Sequence, residues 1–96
     1  MSITPAQSRA ARGLLAWSQI ELARRAELGE STIRDFEKGR RVPTAKYLAT
    51  VQRTLEAAGV IFIEGTEDGP GVRLRGSAAG RVSQDAQDAL APVPQP

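Results

Sequence analysis

Apolar and polar positions alternate with helical spacing from the fourth residue onward. Thr4 is suited to cap a helix, Pro5 to occupy its first position, and Gln7 to complete a capping box. Apolar side chains then recur three or four residues apart, at Ala6, Ala10, Leu14 and Trp17. The pattern predicts a first helix over about residues 5–15, with these side chains on one face turned toward the core.

Two shorter helices follow the first. Ser18 and Glu21 repeat the capping-box spacing, and the apolar positions after them predict a second helix over about residues 19–26. A third helix begins near Glu30 and places Ile33 and Phe36 inward. It ends at Gly39, since glycine accepts the left-handed conformation that commonly closes a helix.

The rest of the chain predicts one more helix and a hairpin. Thr44 caps a fourth helix that Gly59 ends, and strand-like runs over 60–63 and 72–75 flank a glycine-rich turn. From Gly76 onward small and polar residues dominate, which predicts a flexible tail. The fold class is therefore mainly α, with a helical domain at 1–59, a hairpin extension of it at 60–75 and a tail at 76–96. The predicted core comprises Leu14, Trp17, Leu22, Ile33, Phe36, Leu48, Val51 and Leu55.

The composition limits the kinds of catalytic and metal-binding site that the chain can form. The 96 residues include neither His nor Cys, which removes the commonest general base, the thiol nucleophile and most nitrogen and sulfur metal ligands. The carboxylates are scattered and no phosphate-binding loop is present, so we expect no enzyme, no cofactor and no metal. The sequence shows no disulfide, no signal-peptide pattern and no apolar run that could span a membrane, so we expect a cytoplasmic protein.

Charge is distributed unevenly along the chain. Residues 1–53 carry ten basic and five acidic side chains, whereas residues 54–96 carry three basic and six acidic ones. The basic half contains the second and third helices, two short segments joined by a tight turn. A protein that reads a DNA duplex needs this pairing, because one helix enters the major groove while the other braces it across the backbone. Double-stranded DNA is therefore the expected partner.

These helices resemble the XRE and Cro family of phage-repressor-like helix-turn-helix regulators. The residues that carry the resemblance are Gln19, Leu22, Ala23, Thr32, Ile33, Glu37, Gly39 and Pro43, and it extends over about residues 5–60. The family implies a four-helix domain that inserts its third helix, here about residues 30–38, into the major groove.

The resemblance also implies a role for individual side chains. It places Glu30, Ser31, Arg34 and Asp35 on the face that reads bases. Arginine can pair with guanine, serine can bond several base edges, and glutamate can accept from cytosine. It assigns phosphate contacts to Gln19, Lys38, Arg40 and Arg41, and a structural salt bridge between helices to Arg12 and Glu37.

Two positions in the turn depart from the family pattern. Glu27 stands where the family usually has glycine, and a non-glycine residue with positive φ is uncommon. Gly29 stands where a serine or threonine usually caps the third helix, and it is a somewhat weaker cap. Glu30 and Asp35 also bring two carboxylates to a face that meets a polyanion, which favours specificity at the expense of affinity.

Three function classes follow from these observations. The leading hypothesis is a sequence-specific transcriptional regulator, a repressor that occupies a promoter, because no activation or effector domain is visible. The alternative is an antitoxin-like or adaptor protein that acts mainly through a protein partner, for which the acidic C-terminal half leaves room. An enzyme is disfavoured.

The apolar side of the hairpin has two alternatives as well, since it can pack on its own domain or on a second copy in a homodimer.

Overall fold

The computed structural model describes residues 2–76 and contains four helices followed by a two-stranded antiparallel sheet. The helices are α1 (Pro5–Leu15), α2 (Gln19–Ala26), α3 (Glu30–Glu37) and α4 (Ala45–Ala57), and the strands are β1 (Val60–Ile63) and β2 (Gly71–Leu74). The predicted fold class is confirmed, and β2 begins one residue earlier than the sequence indicated. The predicted tail, apart from Gly76, lies outside the described residues.

The helix starts follow from their caps. The hydroxyl of Thr4 accepts from the backbone N–H of Gln7, and the Gln7 side chain accepts from the backbone N–H of Thr4, so the first capping box is complete. Ser18 accepts from the backbone N–H of Glu21, but the return bond of the second predicted box does not form. The Glu21 carboxylate is instead bound to two arginines of its own helix, Arg24 and Arg25.

The prediction for the inward face of α1 is wrong. Ala6, Ala10 and Leu14 are exposed, and Leu14 retains 37% of its surface. The buried residues of α1 are Gln7, Ser8 and Ala11. This polar face can be buried because Gln7 hydrogen-bonds to the hairpin and Ser8 to Glu37 of α3. Ala11 is also small enough to let α3 approach.

The core lies between the four helices and one face of the hairpin. Leu22, Ile33, Val51, Leu55 and Val60 are almost fully buried. Burial of each such side chain stabilises the fold by about 1.5–3 kcal/mol. Trp17 is only partly buried, and it packs against this cluster from the side.

The hairpin packs on its own domain through one face. β1 and β2 pair Val60 with Leu74 and Phe62 with Val72, and these four apolar side chains pack with the core. Ile61 and Ile63 alternate with them and belong to the opposite face, where they pair with Arg73 and Gly71. The first of the two alternatives for the hairpin is therefore realised, and the opposite face keeps two isoleucines for other contacts.

Candidate nucleic-acid interface

The turn between α2 and α3 is closed by a residue in the left-handed conformation. Glu27 has φ 58° and ψ 45°, so this chain uses a glutamate where a glycine would be unstrained. Backbone N–H groups of Glu27 and Leu28 donate to Arg24 (3.2 Å) and Ala23 (2.9 Å) and hold the turn. Gly29 then begins α3 in an extended conformation without any side-chain cap.

The predicted base-reading residues lie on the side of α3 that faces away from the core. Ile33 and Phe36 are buried beneath the helix, while Glu30 and Ser31 are exposed and Arg34 and Asp35 are partly exposed. Arg34 and Glu30 approach each other with Nη1 3.7 Å from Oε2. An exposed pair at this distance contributes little, so the guanidinium can leave it for another acceptor at small cost.

Basic side chains gather at the C-terminal end of α3. Lys38, Arg40 and Arg41 are all exposed. The chain reverses here because Gly39 adopts φ 75° and the backbone N–H of Arg40 donates to the carbonyl of Asp35 at 2.9 Å. Three exposed cations therefore lie within four residues of the end of α3.

A buried carboxylate joins the first three helices. Glu37, at the end of α3, is 1% exposed and accepts from Arg12 on α1, with Nη2 2.6 Å from Oε1 and Nε 2.9 Å from Oε2. Ser8 of α1 donates to the same carboxylate at 2.6 Å, and Gln19 of α2 donates to it at 3.1 Å. Every buried side-chain polar atom within residues 2–76 has a partner, so this network is fully satisfied.

The Glu37 carboxyl is held in its charged form. Burial raises its pKa, but the hydrogen bonds from Arg12, Ser8 and Gln19 and the charge of Arg12 outweigh burial, so the pKa lies below its usual value. Arg9 of α1 also donates to the backbone carbonyl of Glu37. The end of α3 is thus bound both by its side chain and by its main chain.

The side chain of Gln19, which was predicted to contact phosphate, lies at the start of α2 and is partly buried. Its side-chain amide is engaged by Glu37 and faces the buried network. The first backbone N–H groups of α2 still lack intrahelical partners, as at any helix start, and they carry the positive end of the helix dipole. An anion at this end of α2 would therefore meet the main chain first.

Sequence reasoning missed the buried polar residues of α1. Gln7 and Ser8 showed no signal beyond the capping pattern, because their partners are 29 or more residues away in the chain. Arg12 and Glu37 came only from the family resemblance. Within residues 2–76 there is no cluster of acidic side chains that could hold a metal, and none of the helices described there is long and apolar enough to cross a membrane.

A polar outward helix braced by a second helix, with cations at its end, defines a DNA-binding domain of the helix-turn-helix class. A family model described as helix-turn-helix matches residues 9–56, which is half of the chain. The chain belongs to this family, that of the XRE-type regulators. No curated protein shows significant similarity to it.

Proposed function

We propose that the protein is a sequence-specific transcriptional repressor that inserts α3 into the major groove of its operator. The observation that carries this proposal is the position of four polar side chains on the exposed side of α3, directly before three exposed cations. The major groove is about 12 Å wide and admits one α-helix. Promoter occupancy is sufficient for repression and requires no further domain.

Base reading falls to the outward face of α3. Arg34 is released from Glu30 and donates hydrogen bonds from its two terminal N–H groups to O6 and N7 of a guanine, while Ser31 bonds a neighbouring base edge. Glu30 then accepts from the amino group of a cytosine, and Asp35 rejects bases that present acceptors. The family membership and the exposure of all four side chains support these roles.

Phosphate contacts fall to the flanks of α3. Lys38, Arg40 and Arg41 meet one stretch of backbone, and the start of α2 at Gln19 meets another through its main-chain N–H groups. Glu37 supports both contacts, because it holds the Gln19 side chain and the end of α3 in one network.

A second copy of the chain completes the operator complex in this proposal. Dimeric helix-turn-helix proteins read two half-sites about 34 Å apart. The outward face of the hairpin, with Ile61 and Ile63, supports such a dimer because 37% of the Ile63 surface is exposed. The homodimer would then read a twofold-symmetric site.

Fluorescence anisotropy on DNA from directly upstream of the protein's own gene tests the proposal. Wild type is compared with Arg34→Ala on this DNA and on a scrambled duplex, at two salt concentrations. We expect a preference of about 10³-fold or more for the upstream DNA, and loss of that preference in Arg34→Ala. Arg53→Ala is the matched control, because it removes an exposed arginine of α4 that has no predicted DNA contact.

The antitoxin-like adaptor is the second candidate function. The observation that favours it is the presence of two carboxylates, Glu30 and Asp35, on the face that would meet DNA. Equal and weak binding to both duplexes, abolished by salt, would point to it. A co-transcribed toxin or enzyme gene beside this one, and capture of its product by the full chain, would then establish it.

A further inference from the structure

A groove on the surface between α2 and α4 is not used by any predicted DNA contact. It has a volume of about 490 Å³ and is lined by Trp17, Arg25, Thr50, Arg53, Thr54 and the end of α4 at Ala57 and Ala58. It combines an aromatic ring, two cations and small apolar side chains. A surface of this composition suits a peptide that carries both acidic and apolar side chains.

The two arginines of the groove, Arg25 and Arg53, can each bind a further anion. The Arg25 guanidinium carbon lies 4.4 Å from the centroid of the Trp17 ring, and its Nε donates to Glu21 at 2.5 Å. No hydrogen bond within residues 2–76 uses the terminal nitrogens of Arg25, and no ion pair in that part of the chain involves Arg53. Glu21 is shared with Arg24, so the local charge remains positive.

The two threonines of the groove supply acceptors. The Thr50 hydroxyl donates to the carbonyl of Lys46 at 3.0 Å, and the Thr54 hydroxyl donates to the carbonyl of Thr50 at 2.8 Å. Because both hydroxyl protons are committed to the helix, their oxygen lone pairs are left to accept N–H groups. The groove therefore offers cations for carboxylates and acceptors for main-chain amides.

The described part of the chain ends close to one end of this groove. The backbone N–H of Arg75 donates to the carbonyl of Gly59 at 2.7 Å, and Gly59 directly follows the groove residue Ala58. Asp85 lies ten residues beyond Arg75 and can reach at most roughly 33 Å from it. Arg53 lies about 6 Å along α4 from Ala57, well within that reach.

We propose that the groove binds the chain's own C-terminal segment, residues 81–90. This segment carries Asp85 and Asp88 against a single basic residue, Arg81, and it ends with Leu90. Its carboxylates pair with Arg25 and Arg53, and Leu90 contacts the apolar floor beside Trp17. Short linkage raises the effective concentration to the millimolar range, so even a weak interaction is populated.

Paramagnetic relaxation in the full chain tests this binding. The chain has no cysteine, so Gln84→Cys provides one site for a nitroxide label. We expect the label to broaden the backbone amide signals of Thr50, Arg53 and Thr54. The amides of α3, which does not line the groove, should keep their intensity.

A charge exchange identifies the contacts. Arg53→Glu should lower the ratio of bound to free segment by about two- to fivefold, and Asp88→Lys in the same chain should restore it. Arg41→Glu is the matched control, because it reverses another exposed cation, which lies outside the groove, and should leave the broadening unchanged. Far-UV circular dichroism confirms that each variant is folded.

Three outcomes would overturn the proposal. The first is broadening spread evenly over the chain, and the second is groove broadening that Arg53→Glu does not reduce. The third is groove broadening of the same size on isotope-labelled, nitroxide-free chains that are mixed with nitroxide-labelled chains, since the occupant would then be a second copy. Because no groove residue has a predicted DNA contact, these outcomes leave the proposed repressor function untouched.

Discussion

Arg12 and Glu37 bind each other across the contact between α1 and α3, with Nη2 2.6 Å from Oε1. Glu37 is almost fully buried, while the Arg12 side chain keeps 18% of its surface. A buried pair of this kind is a weak source of net stability, but loss of one partner leaves an uncompensated charge. The main role of the pair is therefore to fix the position of α3 against α1, and its own net contribution to stability is small.

Replacement of Arg12 by methionine is expected to destabilise the protein strongly. Arg12→Met keeps the apolar stem and leaves the Glu37 carboxylate without its cation, which costs about 3 kcal/mol. Thermal unfolding followed by circular dichroism measures the loss. Arg24→Met is the control, since it breaks an exposed pair with Glu21 and should barely change Tm. Equal losses in the two variants would contradict the role of the buried pair.

Stability should depend on pH through Glu37. Its folded pKa lies below the ordinary 4.5, so the unfolded chain binds the proton more readily than the folded one. The contribution of the carboxylate is fully present above about pH 4.5 and is lost as pH falls from there through the lower folded pKa.

Urea unfolding of wild type and Glu37→Gln from neutral to about pH 3 separates this effect from that of the other carboxylates. At neutral pH the wild type should have the larger free energy of unfolding. The difference in this free energy between the two proteins should shrink below pH 4.5. Glu21→Gln, which alters a carboxylate that is only partly buried, should show a smaller change. A constant difference across the range would rule out Glu37 as the titrating group.

Gln7 should be essential to the hairpin. Its Nε2 donates to the carbonyls of Ile63 (3.2 Å) and Gly71 (3.0 Å), which close the loop end of both strands. Gln7→Met keeps the volume but removes these bonds and the return bond to Thr4, so we expect a loss of about 1–3 kcal/mol. Hydrogen exchange should quicken at the hairpin amides first. Gln52→Met, at a partly buried glutamine of α4, should leave hairpin exchange as in the wild type.

The elements of this fold could be predicted from the sequence because their signals are local. Thr4, Ser18 and Thr44 all cap the helices that they were expected to cap, and their partners lie three residues away. The inward face of α1 could not be predicted in this way. Ala6, Ala10 and Leu14 formed the more apolar stripe, but the partners of the buried polar stripe come from α3 and the hairpin, far along the chain.

The dimer proposal predicts a specific effect of Ile63→Asp. The substitution places a charge on the outward face of the hairpin without disturbing the core, so the dimer should weaken at least about tenfold. Sedimentation at high micromolar concentration measures it. Leu14→Asp is matched, because Leu14 and Ile63 are both 37% exposed and lie on different elements. A monomeric wild type, with DNA affinity unchanged in Ile63→Asp, would exclude hairpin-assisted dimerisation.

Substitutions of phosphate-contacting residues should change the salt dependence of DNA binding, whereas substitution of a base-contacting residue should change the sequence preference. Neutralisation of one phosphate releases condensed counterions, so Arg40→Gln and Arg41→Gln should each lower the slope of log K against log salt by about 0.9. Both variants should bind all duplexes more weakly and still prefer the operator, whereas Arg34→Ala should lose the preference. Arg53→Gln removes the same charge from α4 and should keep the wild-type slope. If Arg53→Gln lowers the slope as much as Arg40→Gln, the basic end of α3 has no special part in binding, and the general charge of the domain accounts for the affinity.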